Sequence, residues 1–363
     1  MKLLLTGDLH LGRTYQKEDP ETARRFSGAR MEALKNAVDI ANREKCGLLV
    51  IAGDLYDKVS GITQALHREV CRVLSEFDGQ AVLILPGNHD YYDPEHDRLW
   101  KDFEEFSGSH IRVLKSCEPH QADGAVFFPC PCHSKHAKEN ALGWMKGALP
   151  DTPGLLRIGI AHGAVEGYSL DSDQDYYHMT ERELLDLGMD LWLIGHTHVE
   201  FSVGGRIFNA GTPQQTDIAD NSRSEVYVIE AGGGGRITAQ REKAGVIDFV
   251  KRNVTLERSR HLEDVLRFPE LDAGRTSLRV FLNGVASLEE YACRRRIYET
   301  CGQGFLKLEV KDEALKKAVT PELIDRETLE GTAINRLLHS YAGDPELLDL
   351  AYAMALECRE DKR

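Results

Sequence analysis

The sequence predicts an α/β protein: a large domain of packed sheets with helices outside, then a small α/β module, then a helical tail. Three observations carry this. Short apolar runs alternate with stretches of helical spacing up to about residue 245. The runs that open the chain stop at a glycine next to Asp, Asn or His. After about residue 250 the texture changes to alternating strands and capped helices. At 363 residues the chain exceeds what one hydrophobic core usually serves. The expected parts are 1–250, 251–310 and 311–363.

In chain order, residues 3–6 read as a buried strand and 29–42 as a helix, with Met31, Leu34, Val38 and Ala41 on one face. Strand 48–52, helix 62–77 and strand 82–85 follow. Residues 95–106 have helical spacing in Leu99, Trp100, Phe103 and Phe106. Strand 158–161 precedes a capping box, Thr180-x-x-Glu183, and the strand "LWLI" at 191–194. Further strands are expected at 206–209, 225–230 and 236–241, with "GGGG" at 232–235 read as a hairpin turn rather than a phosphate loop, since no helix follows it.

In the second part, 248–256 reads as a strand and 262–268 as a short helix. "TSLRVFLNG" and "FLKLEVK" alternate like strands on either side of a helix opened by Ser287-x-x-Glu290 and ending near Gly302. The tail is expected to hold one helix at 326–341 and another with Asp344 as N-cap and Pro345 at N1. In that last helix Leu347, Ala351, Met354, Ala355 and Cys358 form an apolar stripe. It packs on the chain's own module or docks on a partner; the spacing fits both.

Hydrophobic residues make up 42% of the chain, a globular proportion. No apolar run reaches the length of a membrane span, and "MKLLLTGDLH" has too short an apolar stretch for a signal peptide. Eight scattered cysteines do not form a disulfide framework, so a reducing cytoplasm is expected. The net charge of −14 argues against unaided binding to a polyanion. Residues 251–310, with 11 basic and 9 acidic side chains, hold the only basic surplus.

The chemistry sits where apolar strands end. Strand one runs into "GDLHLG", with Asp8 and His10; the second into "GDLYD", with Asp54 and Asp57. The third runs into "GNHD", with Asn88, His89 and Asp90; later strands give "IAHG", with His162, and "GHTH", with His196 and His198. Singly, each could be a cap, a turn or a surface pair. Together they put carboxylates, an amide and imidazoles at the carboxyl ends of buried strands, where open α/β sheets place ligands. That is more than one structural zinc needs. It suits two divalent ions sharing a bridging carboxylate, with mixed nitrogen and oxygen donors favouring Mn²⁺, Fe or Zn over calcium.

These five motifs, in this order, resemble the calcineurin-like metallophosphoesterase family over roughly residues 1–240. "DLHLG", "GDLYD" and "GNHD" are most similar to its SbcD-type DNA repair exonucleases, and the module after 250 matches their capping domain in position and size. The resemblance implies a two-sheet α/β sandwich with a pair of metals at one edge. It implies Asp8, His10, Asp54 and His198 on one ion, and Asp54, Asn88, His162 and His196 on the other. It makes His89 the catalytic histidine and Asp57 the carboxylate that orients it in some relatives, although Asp57 fits a helix cap equally well. Such an enzyme uses a hydroxide held between the metals for in-line attack on a phosphodiester. The resemblance also implies DNA as substrate, a coiled-coil ATPase of the SbcC type as partner, and a homodimer through the helices at 62–77 and 95–106. Leu66, Val70, Val73 and Leu74 there could equally be core. A small-molecule phosphodiesterase or phosphatase is the competing reading.

Three other features stay open at this level. "PCPCHSKH" offers Cys130, Cys132, His133 and His136, and reads as a loop more readily than as a zinc set. Tyr91 and Tyr92 either stack on bases or pack the loop after "GNHD". In "NAGTPQQ", Thr212 and Gln214 either line the site or form a turn.

Overall fold

The structure is a computed structural model that describes residues 1–147, 149–169, 174–232 and 236–360. It divides into two compact units, Met1–Phe249 and Val250–Arg363.

The first unit contains two six-stranded sheets. In chain order its strands are β1 (Lys2–Thr6), β2 (Leu48–Ala52), β3 (Ala81–Leu85), β4 (Ile111–Val113), β5 (His120–Ala122), β6 (Ala125–Cys130), β7 (Leu156–His162), β8 (Leu191–Gly195), β9 (Phe201–Val203), β10 (Ile207–Asn209), β11 (Glu225–Ala231) and β12 (Ile237–Lys243). One sheet runs β12-β11-β1-β2-β3-β4 and the other β5-β6-β7-β8-β10-β9. Its main helices are α1 (Pro20–Arg43), α2 (Gln64–Leu74), α3 (Leu99–Glu104) and α4 (Glu181–Asp186).

Strand periodicity explains the layers. Leu3 and Leu5 of β1, Leu48 and Val50 of β2, and Leu83 and Leu85 of β3 point to one side. There they meet Phe127, Ile158, Ile160, Leu191 and Leu193 from the other sheet. The alternate residues Leu4, Leu49, Ile51 and Ile84 point outward and pack under α1, α2 and α3. On the far side, Phe128, Ala161, Trp192 and Ile194 form the third cluster. The two-sheet α/β architecture expected from the sequence is therefore the one observed. Because β1–β2–β3 and β6–β7–β8 are parallel runs, their carboxyl ends meet at one edge.

Several elements differ from expectation. α1 begins at Pro20, earlier than the apolar spacing suggested, because Asp19 caps the amides of Glu21 and Thr22. The helix expected at 95–106 contracts to α3, since Asp93 and Asp97 hold turns ahead of it. β4, β5 and β9 were not anticipated, and each has only three residues. β11 and β12 pair antiparallel as a hairpin requires, while its turn at 233–235 lies outside the described residues. Val70, Val73 and Leu74 are fully buried in the chain's own core, and Leu66 packs against it. Val70, Val73 and Leu74 thus take the core alternative, and Leu66 is half-buried at its edge.

The second unit is built on β13 (Asp248–Leu256), β14 (Thr276–Ala286) and β15 (Lys307–Lys317). A short helix, α5 (Leu262–Val265), precedes β14; α6 (Leu288–Gly302) connects the parallel pair β14 and β15, with Ser287 capping the amide of Glu290. The helix expected at 326–341 is two helices, α7 (Pro321–Glu327) and α8 (Ala333–Ser340). Thr328 leaves the helical region and Thr332 caps a new start. In the last helix, α9 (Pro345–Glu360), the expected stripe is rotated. Leu348 and Tyr352 are the buried residues, joined by Ala351 at the edge of the cluster. Leu347, Leu350 and Met354 are exposed, and the side chain of Cys358 lies outside the described residues. No helix among the described residues is long and apolar enough to cross a membrane.

Candidate metal centre

All seven residues proposed from sequence as ligands converge at the edge where the strands end. Asp8 and His10 follow β1, Asp54 follows β2, Asn88 follows β3, His162 ends β7, and His196 and His198 follow β8. Asp8, His10, Asp54, Asn88 and His162 are buried. Three sets of ligand atoms lie within 4.8 Å of one another: Asp8, His10 and His198; Asp8, Asp54 and His162; His10, Asp54 and His89.

Each donor is aimed by a bond on its other atom. Asp54 Oδ1 accepts from the His89 amide at 2.9 Å, so Oδ2 turns inward, 3.4 Å from His162 Nε2 and 3.7 Å from His10 Nε2. His162 Nδ1 donates to the Ala52 carbonyl at 2.8 Å, which leaves Nε2 as the inward acceptor. Asn88 Nδ2 donates to the Lys135 carbonyl at 3.3 Å, so its Oδ1 faces His162 Nε2 at 3.0 Å and His196 Nδ1 at 3.2 Å. Asp8 accepts from the His196 amide at 3.0 Å, tying strand one to the loop after β8. His198 Nδ1 lies 3.4 Å from Thr216 Oγ1 and 3.6 Å from Asp220 Oδ2.

The backbone is strained here. Asp8, His10, Asp54 and His196 all have positive φ, between 46° and 100°. Such conformations cost about 1–3 kcal/mol each in a non-glycine residue and cluster at functional sites. Two glycines let the sheets close up. A Cβ on Gly53, which has φ +93°, would meet His162 Nδ1 at 2.0 Å, and one on Gly195 would meet the Ala52 carbonyl at 1.9 Å.

Electrostatically the metal-free cluster is mismatched. Burial raises the Asp8 carboxyl to about 6, against the pull of His162 and His198. Burial lowers the His10 imidazole to about 4. At His162 burial acts downward, but Asp54 and Asp8 prevail and raise it to about 9. At Asp54 burial acts upward, yet His162, His10 and His89 hold it well below the usual carboxylate range. His10 Nδ1 has no hydrogen-bond partner, at 3.5 Å from Asp57 Oδ1. Buried carboxylate oxygens, an amide oxygen and imidazole nitrogens around one point fit a pair of divalent cations, which would neutralise the acids and use the orphaned lone pairs.

His89 and Asp57 meet differently from expectation. His89 Nδ1 is bonded to the Asp57 main-chain carbonyl at 2.9 Å. The Asp57 carboxylate instead lies 3.3 Å from Arg13 Nη1 and faces His10. A turn places the carbonyl, rather than the side chain, beside the imidazole.

Thr212 and Gln214 are buried and line nothing. Thr212 Oγ1 donates to the Asp8 carbonyl at 2.9 Å, bracing strand one from behind, and Gln214 ties the 246–247 amides. Cys130, Cys132, His133 and His136 do not converge: Cys132 Sγ donates to the His162 carbonyl at 3.4 Å, and His133 Nδ1 pairs with the Tyr92 carbonyl at 2.9 Å. Tyr92 packs against the outer core. Tyr91 borders a cavity of about 560 Å³ with Ile62, His67 and Leu99.

Sequence reasoning missed two supports, Arg30 and Asp220, and named Asp90 without giving it a role. Asp90 accepts from the amides of Tyr56 and Gly87, linking two motif loops, and burial first and Asp54 second raise it to about 7. Its place in "GNHD" was the available signal. Arg30 on α1 is buried and donates to the Leu9 carbonyl at 2.8 Å, between the two strained residues of strand one. Asp220 carried no motif at all.

Comparisons with known proteins follow the geometry. A metallophosphoesterase of Bacillus subtilis (strain 168), YhaO, whose own name calls it uncharacterized, is 22% identical over 253 residues. The match covers 68% of this chain and 60% of that protein, so the chain spans well under two thirds of its relative's length. A crystal structure of TT1561 of Thermus thermophilus aligns over 66% of this chain and 97% of its own, at 13% identity and a TM-score of 0.40. The family model described as calcineurin-like phosphoesterase matches residues 1–200, the stretch that holds every candidate ligand. The chain belongs to the calcineurin-like phosphoesterase family.

Proposed function

We propose that this chain is a dinuclear metal-dependent phosphodiesterase that cuts DNA, working with a coiled-coil ATPase of the SbcC type. The observation that carries the dinuclear part is Asp54. One of its oxygens is held by the His89 amide, and the other faces imidazoles from both candidate ligand sets. Asp8, His10 and His198 then complete one ion's ligands, and Asn88, His162 and His196 the other's. Manganese suits the mixed donors, with iron or zinc as the alternatives.

Bound divalent ions would supply an activated water and neutralise charge on the phosphoryl oxygens. His89 carries the proton chemistry. Its Nδ1 donates to the Asp57 carbonyl, so to act as an acid the ring must carry a second proton on Nε2, the one it would give to the departing sugar oxygen. Arg13 and the Asp57 carboxylate fix the loop that holds this imidazole.

The preference for DNA rests on the similarity of "DLHLG", "GDLYD" and "GNHD" to SbcD-type nucleases and on a second unit after residue 250. Free cysteines at seven described positions agree with a reducing cytoplasm. The second reading, a small-molecule phosphodiesterase, draws on charge. The net charge is −14, and arginines of the basic stretch 251–310 are paired: Arg279 with Glu309 at 2.7 Å and Arg294 with Asp312 at 2.9 Å, with Arg258 held by Asp349. An ATPase that brings the DNA would meet that objection. Manganese-dependent release from linear duplex DNA, a short oligonucleotide and a chromogenic phosphodiester separates the two. Cleavage of both nucleic acids supports the nuclease; cleavage of the chromogenic diester alone supports the second reading.

A further inference from the structure

The "PCPCHSKH" side chains do not gather into a ligand cluster, yet the segment is built into the rim of the centre. Its backbone is fixed at several points. The Lys135 carbonyl accepts from Asn88 Nδ2, and Cys132 Sγ donates to the His162 carbonyl. The Tyr177 hydroxyl accepts from the amides of His133 and Ser134 at 3.0 and 2.9 Å. Ala137 is bridged to Tyr176: its amide donates to the Asp175 carbonyl and its carbonyl accepts from the Tyr177 amide, both at 2.8 Å. So two candidate ligands, Asn88 and His162, are tied directly to this strap.

What the strap presents is a row of rings. His162 and His196 have centroids 5.4 Å apart, His196 and Tyr176 5.1 Å, and Tyr176 and His136 5.0 Å. The row starts in the buried centre and ends in solvent: His162 is buried, Tyr176 is half-exposed and His136 is exposed. Tyr176 is tilted 32° to His196 and 49° to His136. Lys135 and Lys138 flank His136, and both are exposed. Rings in a core have no reason to lead outward between lysines. A nucleotide does: its base needs a π-face one ring's spacing from the reacting phosphodiester, and its neighbouring phosphates need cations.

We propose that Tyr176 and His136, with Lys135 and Lys138, form a stacking shelf that binds the base of the nucleotide next to the scissile bond. Tyr176 and His136 are then specificity-determining residues that favour single-stranded nucleic-acid ends over diesters without a ring. This rests on the phosphodiesterase reading above and deepens it.

The test compares two manganese-supported substrates with the same leaving group, a thymidine p-nitrophenyl phosphodiester and methyl p-nitrophenyl phosphate. The ratio of their kcat/KM values should fall about 5- to 100-fold in Tyr176→Leu and in His136→Ala, the range for one lost base–aromatic stack. Tyr176→Phe, which keeps the ring, should restore it. In parallel, fluorescence anisotropy with a labelled short oligothymidylate in EDTA should show weaker binding by Tyr176→Leu, His136→Ala and the Lys135→Gln/Lys138→Gln pair, with an abasic oligomer insensitive to the two ring changes. A ratio and an oligothymidylate affinity unchanged in His136→Ala and Tyr176→Leu overturn the shelf. If the wild-type protein cleaves neither diester, the phosphodiesterase reading fails, and the anisotropy alone decides whether the shelf binds bases. If it cleaves both with the same ratio in every variant, the shelf fails and that reading stands.

Discussion

His10 and His198 stand 188 residues apart in the chain, yet their Nε2 atoms lie 3.2 Å from each other. Each ring arrives from a different sheet, His10 after β1 and His198 after β8. The Thr216 hydroxyl and Asp220 carboxylate lie on the Nδ1 side of His198, which favours the tautomer whose Nε2 is an acceptor. The two nitrogens are within hydrogen-bond distance in the metal-free cluster, and a cation bound by both would take the place of the shared proton.

His89→Asn is expected to retain the metals and lose about 10²–10⁴ in cleavage rate, the usual contribution of a general acid. The imidazole touches Asp57 through its carbonyl, so Asp57→Asn, which keeps that carbonyl, should cost far less. Steady-state rates beside metal content of the purified variants check both. Metal lost in parallel with activity in His89→Asn makes His89 a ligand instead.

Gly53→Ala should destabilise the protein by about 2–5 kcal/mol, since it combines a positive φ with a Cβ driven into a buried ring. The Cβ would sit 2.0 Å from His162 Nδ1 at φ +93°. Gly28→Ala is the opposite case. It lies on the exposed side of α1 with open space around it, and should stabilise by about 0.5–1 kcal/mol. Denaturant unfolding of the two variants should show shifts of opposite sign.

Thiol labelling tests the packing of the cysteine-rich segment. Cys130 and Cys132 are buried, and burial pushes both thiols far up; Cys71 is pushed up to about 12 for the same reason. Cys293 is exposed. Iodoacetamide at mildly alkaline pH should therefore modify Cys293 in the native protein and reach Cys71, Cys130 and Cys132 only after denaturation. Peptide mass mapping reads this out. Labelling of Cys132 without unfolding contradicts the packing described.

α9 has two apolar faces with different expected roles. Leu348→Glu should unfold the C-terminal cluster, because Leu348 is only 2% exposed. Leu350→Glu with Met354→Glu, at 57% and 58% exposed, should change stability by no more than about 0.5 kcal/mol each and weaken association with the proposed ATPase. Removing residues 343–363 strips Leu348 and Tyr352 from that cluster, so point changes are the cleaner probe. Thermal midpoints and co-purification decide it. A surface pair as damaging as Leu348→Glu removes the case for docking.

The metal centre was legible because its signal is local. An apolar strand, a glycine and polar residues recur four times, His162 ends a fifth strand ahead of its glycine, and β-sheet topology alone brings such strand ends together. What was not legible depends on contacts between distant segments. Asp220 supports His198 from a stretch with no motif, and Arg30 reaches the Leu9 carbonyl from the middle of a helix. The exchange between Asp57's carboxylate and carbonyl depends on backbone torsion, which residue types do not encode. Short edge strands such as β4 and β9 have too few residues for a period to register. In α9 the apolar residues cover more than one face, so spacing alone selected Leu347 over Leu348.

The most direct measurement of the central claim is metal content and cleavage in Asp54→Ala beside the wild type. Asp54 Oδ2 faces ligands of both candidate ions, so its loss leaves two cations close together without a shared counter-charge. Elemental analysis after dialysis against manganese should find two equivalents in the wild-type protein and close to none in Asp54→Ala, with manganese-dependent phosphodiester cleavage lost in the variant. Two full equivalents retained by Asp54→Ala would contradict the account.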